Sequence, residues 1–278
     1  MQKSGPHKKR LLDVAMQASL LAGKIQLSSY GKLRNSQIST KAKNDFVTEI
    51  DKKCEKAIIL TIKKYFPDHA IQAEESGVTN GKGILWVIDP LDGTSNYIHQ
   101  IPLFAVSVGI LEDNQPIAGV IYDAVHKEMF TAEKGGGAFL NKRKIEVTKV
   151  GRLANALMAT GIPFRARDRF DEYLASFKTI SLGSAGMRRG GSAALDLAYV
   201  ACGRYDGFWE MDLSPWDIAA GAVLLEEAGG KISDLWGTKD YFKNGDTLAS
   251  NALIHHELKE ITSRIFTPVK KDKRCLLS

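Results

Sequence analysis

Trp86-Val87-Ile88-Asp89-Pro90-Leu91-Asp92-Gly93-Thr94-Ser95-Asn96-Tyr97 is the stretch on which the reading of this chain turns. The apolar run Ile84–Ile88 has the composition of a buried strand, and it ends in two carboxylates that bracket a proline. Pro90 has no N–H to give a sheet, so the strand is expected to break there and to project Asp89 and Asp92 from its carboxyl end. Two acids on one turn are close enough to share a hard cation, and the Gly93 and Thr94 amides that follow can converge on an anion. Carboxylates for Mg²⁺ beside amides for phosphate are the parts that metal-assisted phosphoryl transfer needs. A lone Asp-Gly is ordinarily just a turn. Here a second acid, and further acids elsewhere in the chain, favour a site.

Those further acids are Glu74, Glu75, Asp51 and Asp217. Glu74 and Glu75 follow a short strand predicted at Ala70–Ala73, and adjacent like charges need solvent or a cation. Asp51 stands three residues after Thr48, the predicted N-cap of a helix over Glu49–Tyr65 whose Ile50, Cys54, Ala57, Ile58 and Ile62 face inward. Asp217 opens a helix predicted over Trp216–Ala228, where its ordinary role is capping and dipole stabilisation. That role is compatible with a second one, as it is for Asp51.

The rest of the chain supplies the frame. Leu11, Leu12, Val14, Ala15, Ala18, Leu21, Ala22 and Ile25 recur at helical spacing and predict an amphipathic N-terminal helix, not a signal peptide. Strands are predicted at Ala105–Leu111, Ile117–Tyr122, Glu128–Ala132, Ala138–Asn141 and Lys144–Val147, an antiparallel meander with a turn at Gly135-Gly136-Gly137. Beyond it, helix-like segments at Ser192–Ala201 and Trp216–Ala228 alternate with strands at Asp206–Glu210 and Lys231–Ser233. This order predicts an α+β half, 1–148, carrying most of the acids, followed by an α/β half, 149–278, carrying Asp217.

Composition excludes more than it selects. No apolar stretch approaches the roughly 18 residues of a membrane span. Cys54, Cys202 and Cys275 are too few and too scattered for a disulfide framework or a zinc site, which fits a reducing, cytoplasmic setting. The net charge of +6 owes much to Lys3–Arg10 and Lys270–Arg274, basic runs read as solvated tails. G-x-S-x-G and Walker A motifs are lacking, which disfavours serine hydrolases and P-loop NTPases. His69, His99, His126, His255 and His256 have no spacing that ties them to catalysis.

Two separated signatures, Trp86–His99 and Trp216-Asp217 through Gly229-Gly230, carry a resemblance over about Leu11 to Phe266. The chain resembles the inositol monophosphatase family, within the lithium-sensitive, magnesium-dependent phosphatases. Arg188-Arg189-Gly190-Gly191-Ser192-Ala193-Ala194-Leu195-Asp196 is similar to the bacterial, SuhB-like inositol-1-monophosphatase type. The resemblance implies a layered αβαβα sandwich, a homodimer and two to three Mg²⁺ ions per site. It implies that Glu74, Asp89 and the Leu91 carbonyl hold one ion and that Asp89, Asp92 and Asp217 hold a second. Glu74 with waters would hold a weaker third. Thr94 paired with Asp51 would orient and deprotonate the attacking water, and Glu75 would support the ligands from behind. Phosphate would lie on the Gly93 and Thr94 amides. Inositol hydroxyls would meet Asp92, Gly191, Ser192, Ala193, Glu210 and Asp217.

The expected activity is hydrolysis of inositol monophosphates, a small phosphate monoester class, with Glu210 favouring a polyol because a carboxylate accepts from vicinal hydroxyls. Fructose 1,6-bisphosphate, histidinol phosphate and 3′-phosphoadenosine nucleotides are the rival substrates that such a metal cluster also serves. SuhB-like relatives further imply contact with RNA polymerase and ribosomal-RNA transcription as a separate role.

Overall fold

The computed structural model describes residues 6–42, 45–163 and 166–268. Lys3, the basic run Lys270–Arg274 and Cys275 lie outside the described residues. In chain order the elements are α1 (Pro6–Ser29), β1 (Ile38–Ala42), β2 (Asp45–Thr48), α2 (Glu49–Tyr65), β3 (Ala70–Ala73), β4 (Gly77–Thr79), β5 (Ile84–Asp92), α3 (Thr94–Ile98), β6 (Ala105–Glu112), β7 (Gln115–Asp123), β8 (Glu128–Glu133), β9 (Gly137–Leu140) and β10 (Arg143–Ile145). There follow β11 (Leu157–Thr160), α4 (Phe170–Gly183), β12 (Gly186–Arg188), α5 (Ala193–Ala201), β13 (Gly207–Glu210), α6 (Pro215–Glu227), β14 (Lys231–Ser233), α7 (Tyr241–Asn244), β15 (Thr247–Ser250) and α8 (His255–Ile265).

An eight-stranded sheet has the order β10-β9-β8-β7-β6-β5-β3-β4, antiparallel except where β3 runs parallel to β5. A five-stranded sheet has the order β12-β11-β13-β15-β14, with β11 parallel to both its neighbours. α1 and α2 pack on one face of the large sheet and α5 and α6 on the other, and α5 and α6 then meet the small sheet, whose outer face carries α8 with α4 against it. The αβαβα layering expected from the resemblance is the architecture of the chain.

Alternation along the strands explains why the large sheet is covered on both sides. Trp86 and Ile88 of β5 join Val106, Val108 and Ile110 of β6 in the core beneath α1 and α2. Leu85 and Val87 point the other way, toward Ala219 of α6. A strand with both faces buried reads as a continuous apolar run, as β5 does. On the α6 side, β6 carries Ser107 and Gly109, small enough for a helix to come close.

Two expectations need correction. β5 does not break before Pro90 but continues to Asp92, with a register shift against β6 between Asp89 and Asp92. A bulge is where a strand accommodates a residue with no N–H, so the proline bends the strand instead of stopping it. Leu21, assigned to the inward face of α1, is 43% exposed, and buried Gln26 lies on that face instead. The histidines behave as expected: His69 accepts from Trp86 Nε1 at 3.1 Å, and the ring of His255 is held between Ser233 and Ser250.

Candidate active site

The strand end, two helix starts and one turn converge on one cleft. β5 delivers Asp89 and Asp92, and its bent end is fixed from behind, where Gln26 Nε2 of α1 donates to the Pro90 carbonyl at 2.9 Å. The Leu91 amide donates to Asp89 Oδ1 at 2.9 Å, which holds that carboxylate at the wall of the cleft. Gly93 follows with φ +94°, a left-handed conformation that glycine adopts without strain, and turns the chain into α3. A Cβ at that position would also lie 2.9 Å from the Leu103 carbonyl.

Asp217 comes from the third position of α6. Its Oδ2 accepts from the Ser214 amide at 2.7 Å in a capping box. The carboxylates of Asp89, Asp92 and Asp217 offer oxygens that all lie within 4.8 Å of one another. Each charged neighbour that acts on Asp89 is itself an acid, namely Glu74, Asp92 and Asp217, and with burial they push its carboxyl well above the usual range. Asp92 is pushed up to about 7, first by removal from solvent and then by Asp217. A group of acids that mutually disfavours ionisation is short of positive charge, and the donors are all oxygens, so the residues present fit a hard divalent cation.

Asp51 is the same device on α2. Its Oδ2 accepts from the Thr48 amide at 2.8 Å and from Thr48 Oγ1 at 2.6 Å, while Oδ1 lies 3.1 Å from Thr94 Oγ1. One oxygen caps the helix and the other reaches α3. Burial raises this carboxyl to about 6, against the lowering effect of the Thr48 hydrogen bonds. Thr94 Oγ1 is also 3.0 Å from the Leu91 carbonyl. Glu74 lines the cleft on the turn after β3, with its amide bonded to the Ile88 carbonyl at 3.1 Å. Glu75 does not line the cleft; its amide is held by Glu55 Oε2 at 2.8 Å.

The opposite wall comes from the small-sheet half. Asp92 Oδ2 accepts from Ser192 Oγ at 2.5 Å and from the Ala194 amide at 2.7 Å, which seats the β5 end on the start of α5. Ser192 therefore spends its hydroxyl on Asp92, whereas Gly191 and Ala193 line the cleft. Glu210, at the end of β13, lines it from the far side. The cleft, about 440 Å³, also takes in Phe46, Ile162 and Arg189. The sequence-predicted Asp51, Glu75 and Ser192 thus stand behind the wall and the other ten residues form it.

Several participants were missed. Glu55 is 3% exposed and four residues from Asp51, an acid on the apolar face of a helix, and that misplacement was the available signal. Asn96 donates to the Leu103 carbonyl at 2.6 Å and to the Gly190 carbonyl at 2.8 Å, tying the two halves together. Gln26 had no signal beyond lying on an apolar face.

A sequence profile of the inositol monophosphatase family matches residues 7–269. The chain is 42% identical over 250 residues to an inositol-1-monophosphatase of Mesorhizobium japonicum, covering 89% of this chain and 94% of that protein. It is 44% identical over 247 residues to the Nus factor SuhB of Pseudomonas aeruginosa, covering 87% and 91%. Among solved structures, the extragenic suppressor protein SuhB of Bartonella henselae superimposes with a TM-score of 0.89 at 39% identity, covering 92% of this chain and 100% of that one. The inositol monophosphatase of Anabaena superimposes with a TM-score of 0.83 at 41% identity, covering 93% and 97%. With matches of this extent around a cleft of converging carboxylates, the chain belongs to the inositol monophosphatase family and is a phosphoric monoester hydrolase.

Proposed function

We propose that the chain hydrolyses inositol monophosphates to inositol and phosphate, using Mg²⁺ held by Glu74, Asp89, the Leu91 carbonyl, Asp92 and Asp217. The observation that carries this reading is the cluster of Asp89, Asp92 and Asp217 oxygens within 4.8 Å, joined across the cleft by Glu210. In it, residues 1–148 supply most metal ligands and 149–278 supply Asp217 and the contacts to the alcohol.

Mg²⁺ bound there supplies electrophilic polarisation of the phosphate oxygens and makes water easier to deprotonate. The protein's own groups do the rest. The Gly93 and Thr94 amides orient the phosphate for in-line attack. Thr94 Oγ1 positions the attacking water and passes its proton to Asp51 Oδ1, a base whose pKa of about 6 suits work near neutrality. Gly191, Ala193 and Glu210, with Asp92 and Asp217, hold the hydroxyls of the alcohol, Ser192 keeps Asp92 in place, and the Glu55–Glu75 bond keeps the Glu74 turn in place.

The test is phosphate release from inositol 1-phosphate with Mg²⁺, with EDTA and with lithium. Activity is expected to require Mg²⁺, vanish with EDTA and fall with lithium at high Mg²⁺. A Mg²⁺-loaded, folded protein with no turnover of this ester, but strong turnover of fructose 1,6-bisphosphate, histidinol phosphate or a 3′-phosphoadenosine nucleotide, would sink the inositol assignment and keep the hydrolase.

A second role is proposed beside catalysis, because relatives this similar bear the name Nus factor: contact with RNA polymerase in the cytoplasm. No helix among the described residues is long and apolar enough to cross a membrane. Retention of RNA polymerase on the immobilised chain supports this role, and no retention removes it. A homodimer is proposed on the apolar stripe of α4, where Phe170, Leu174, Phe177 and Leu182 are 36–80% exposed. A monomeric mass by sedimentation at micromolar concentration would remove that proposal.

A further inference from the structure

We propose that Gly161 is a positioning residue: by having no side chain it fixes where the Glu210 carboxylate lies, and so sets the preference of the site for phosphate esters of polyols over those of simple alcohols. The proposal rests on the assignment of Glu210 to the substrate's hydroxyls.

β11 and β13 run parallel, with Met158, Ala159 and Thr160 beside Gly207, Phe208 and Trp209. One step further along both strands brings Gly161 beside Glu210, at the carboxyl ends where the cleft opens. Neighbouring residues in a parallel pair send their side chains to the same face, so positions 161 and 210 share one space. Glu210 fills it. A Cβ at position 161 would lie 2.0 Å from Glu210 Cδ and 2.1 Å from each carboxylate oxygen. Non-bonded carbon and oxygen atoms settle more than an ångström further apart than that. The carboxylate therefore lies across the α-carbon of Gly161, in room that only glycine leaves.

The backbone of Glu210 has no freedom to retreat. β13 is paired on its other side with β15, where Glu210 faces Thr247, and the adjacent Trp209 is fully buried with Nε1 donating to Ser176 Oγ at 3.2 Å. Any side chain at 161 therefore displaces the carboxylate by turning its own torsions and leaves the strand in place. Asp89, Asp92, Asp217, Thr94 and Asp51 belong to other elements, and the three atoms nearest a Cβ at position 161 all belong to Glu210, so the phosphate chemistry is expected to be spared. A carboxylate that accepts from two vicinal hydroxyls must sit at one height and angle, and its displacement loses charge-assisted hydrogen bonds that a simple alcohol never made.

The experiment compares inositol 1-phosphate with phenyl phosphate, which lacks vicinal hydroxyls, on the full chain loaded with Mg²⁺. For Gly161→Ala the ratio of kcat/KM values is expected to fall about tenfold or more, as for loss of one hydrogen bond to a charged group, carried mainly by KM. Phenyl phosphate turnover and the melting temperature are expected to stay at wild-type level. Glu210→Gln is expected to lower the ratio similarly, with Gly161→Ala/Glu210→Gln no lower than the worse single variant. Glu210→Asp, one methylene shorter, is expected to recover part of the ratio when combined with Gly161→Ala. Equal losses for both substrates in Gly161→Ala would overturn the proposal, as would an unchanged ratio in that variant while Glu210→Gln lowers it. An unchanged ratio in Glu210→Gln removes the assignment of Glu210 itself, and the positioning role with it.

Discussion

Asp92→Asn is expected to lower kcat/KM for inositol 1-phosphate by about a thousandfold or more while making the metal-free protein more stable above neutral pH. Both hydrogen bonds that Asp92 accepts, from Ser192 Oγ and from the Ala194 amide, arrive at Oδ2. An asparagine whose amide oxygen takes that place keeps both, so the junction between β5 and α5 survives. Its amide nitrogen then faces the cluster where an anionic oxygen stood, and a donor group cannot ligate a cation. The loss falls on metal binding and turnover, not on the fold.

The stability half follows from the raised pKa. Asp92 binds its proton more tightly in the folded protein, about 7 against an ordinary 3.8. A raised carboxyl favours folding below pH 3.8 and loses that contribution progressively as pH climbs toward 7. Ionising this buried carboxyl beside Asp217 therefore costs more stability at pH 8 than at pH 5. The metal-free wild type is therefore expected to melt lower at pH 8 than at pH 5, Mg²⁺ to restore it, and Asp92→Asn to be flatter with pH and insensitive to Mg²⁺. Calorimetry of both proteins at the two pH values, with and without Mg²⁺, checks this. A variant that melts lower than wild type at pH 8 without metal would show that the carboxylate is stabilising as it stands.

What could be read from the sequence was what the chain specifies within one turn or one element. The capping box of Thr48 and Asp51, the strand running into Asp89-Pro90-Leu91-Asp92, and the meander with its glycine turn are local patterns, and each formed where expected apart from the bulge at Pro90. β11 and β12, at four and three residues, carry no periodic run of their own and exist because partners pair with them. The converging acids Asp89, Asp92 and Asp217 were legible through the family motif, but the contacts that place them were not. Asp92 meets Ser192 a hundred positions away, and Gln26 reaches Pro90 across 64. Such contacts are set by how layers stack, and no window of sequence contains both partners.

The stacking itself rests on a pair of small residues. Gly109 of β6 and Gly119 of β7 face each other across the ladder, and α6 lies over them through Ala219 and Ala220. A Cβ on Gly119 would come within 2.7 Å of Ala220 Cα and 2.8 Å of its carbonyl oxygen, and one on Gly109 within 2.4 Å of Ala219 Cβ. These obstacles are helix backbone and a methyl stub, neither of which can turn aside. Gly119→Ala is therefore expected to lift α6 and to destabilise the protein by about 3 kcal/mol, the upper end for an overpacked core. The lift has a functional consequence, because Asp217 stands at the start of α6, and Ser107 Oγ anchors that end by donating to the Trp216 carbonyl at 3.0 Å. Moving the helix separates Asp217 from Asp89 and Asp92, so Mg²⁺ affinity is expected to fall about tenfold or more. The double variant Gly109→Ala/Gly119→Ala should cost less than the sum of its parts, since one lift of α6 makes room for both methyl groups. Urea denaturation and Mg²⁺ titration of the three variants decide the matter. Additive losses, or lost stability with unchanged Mg²⁺ affinity, would mean that each glycine is accommodated locally and that the height of α6 does not govern the metal site.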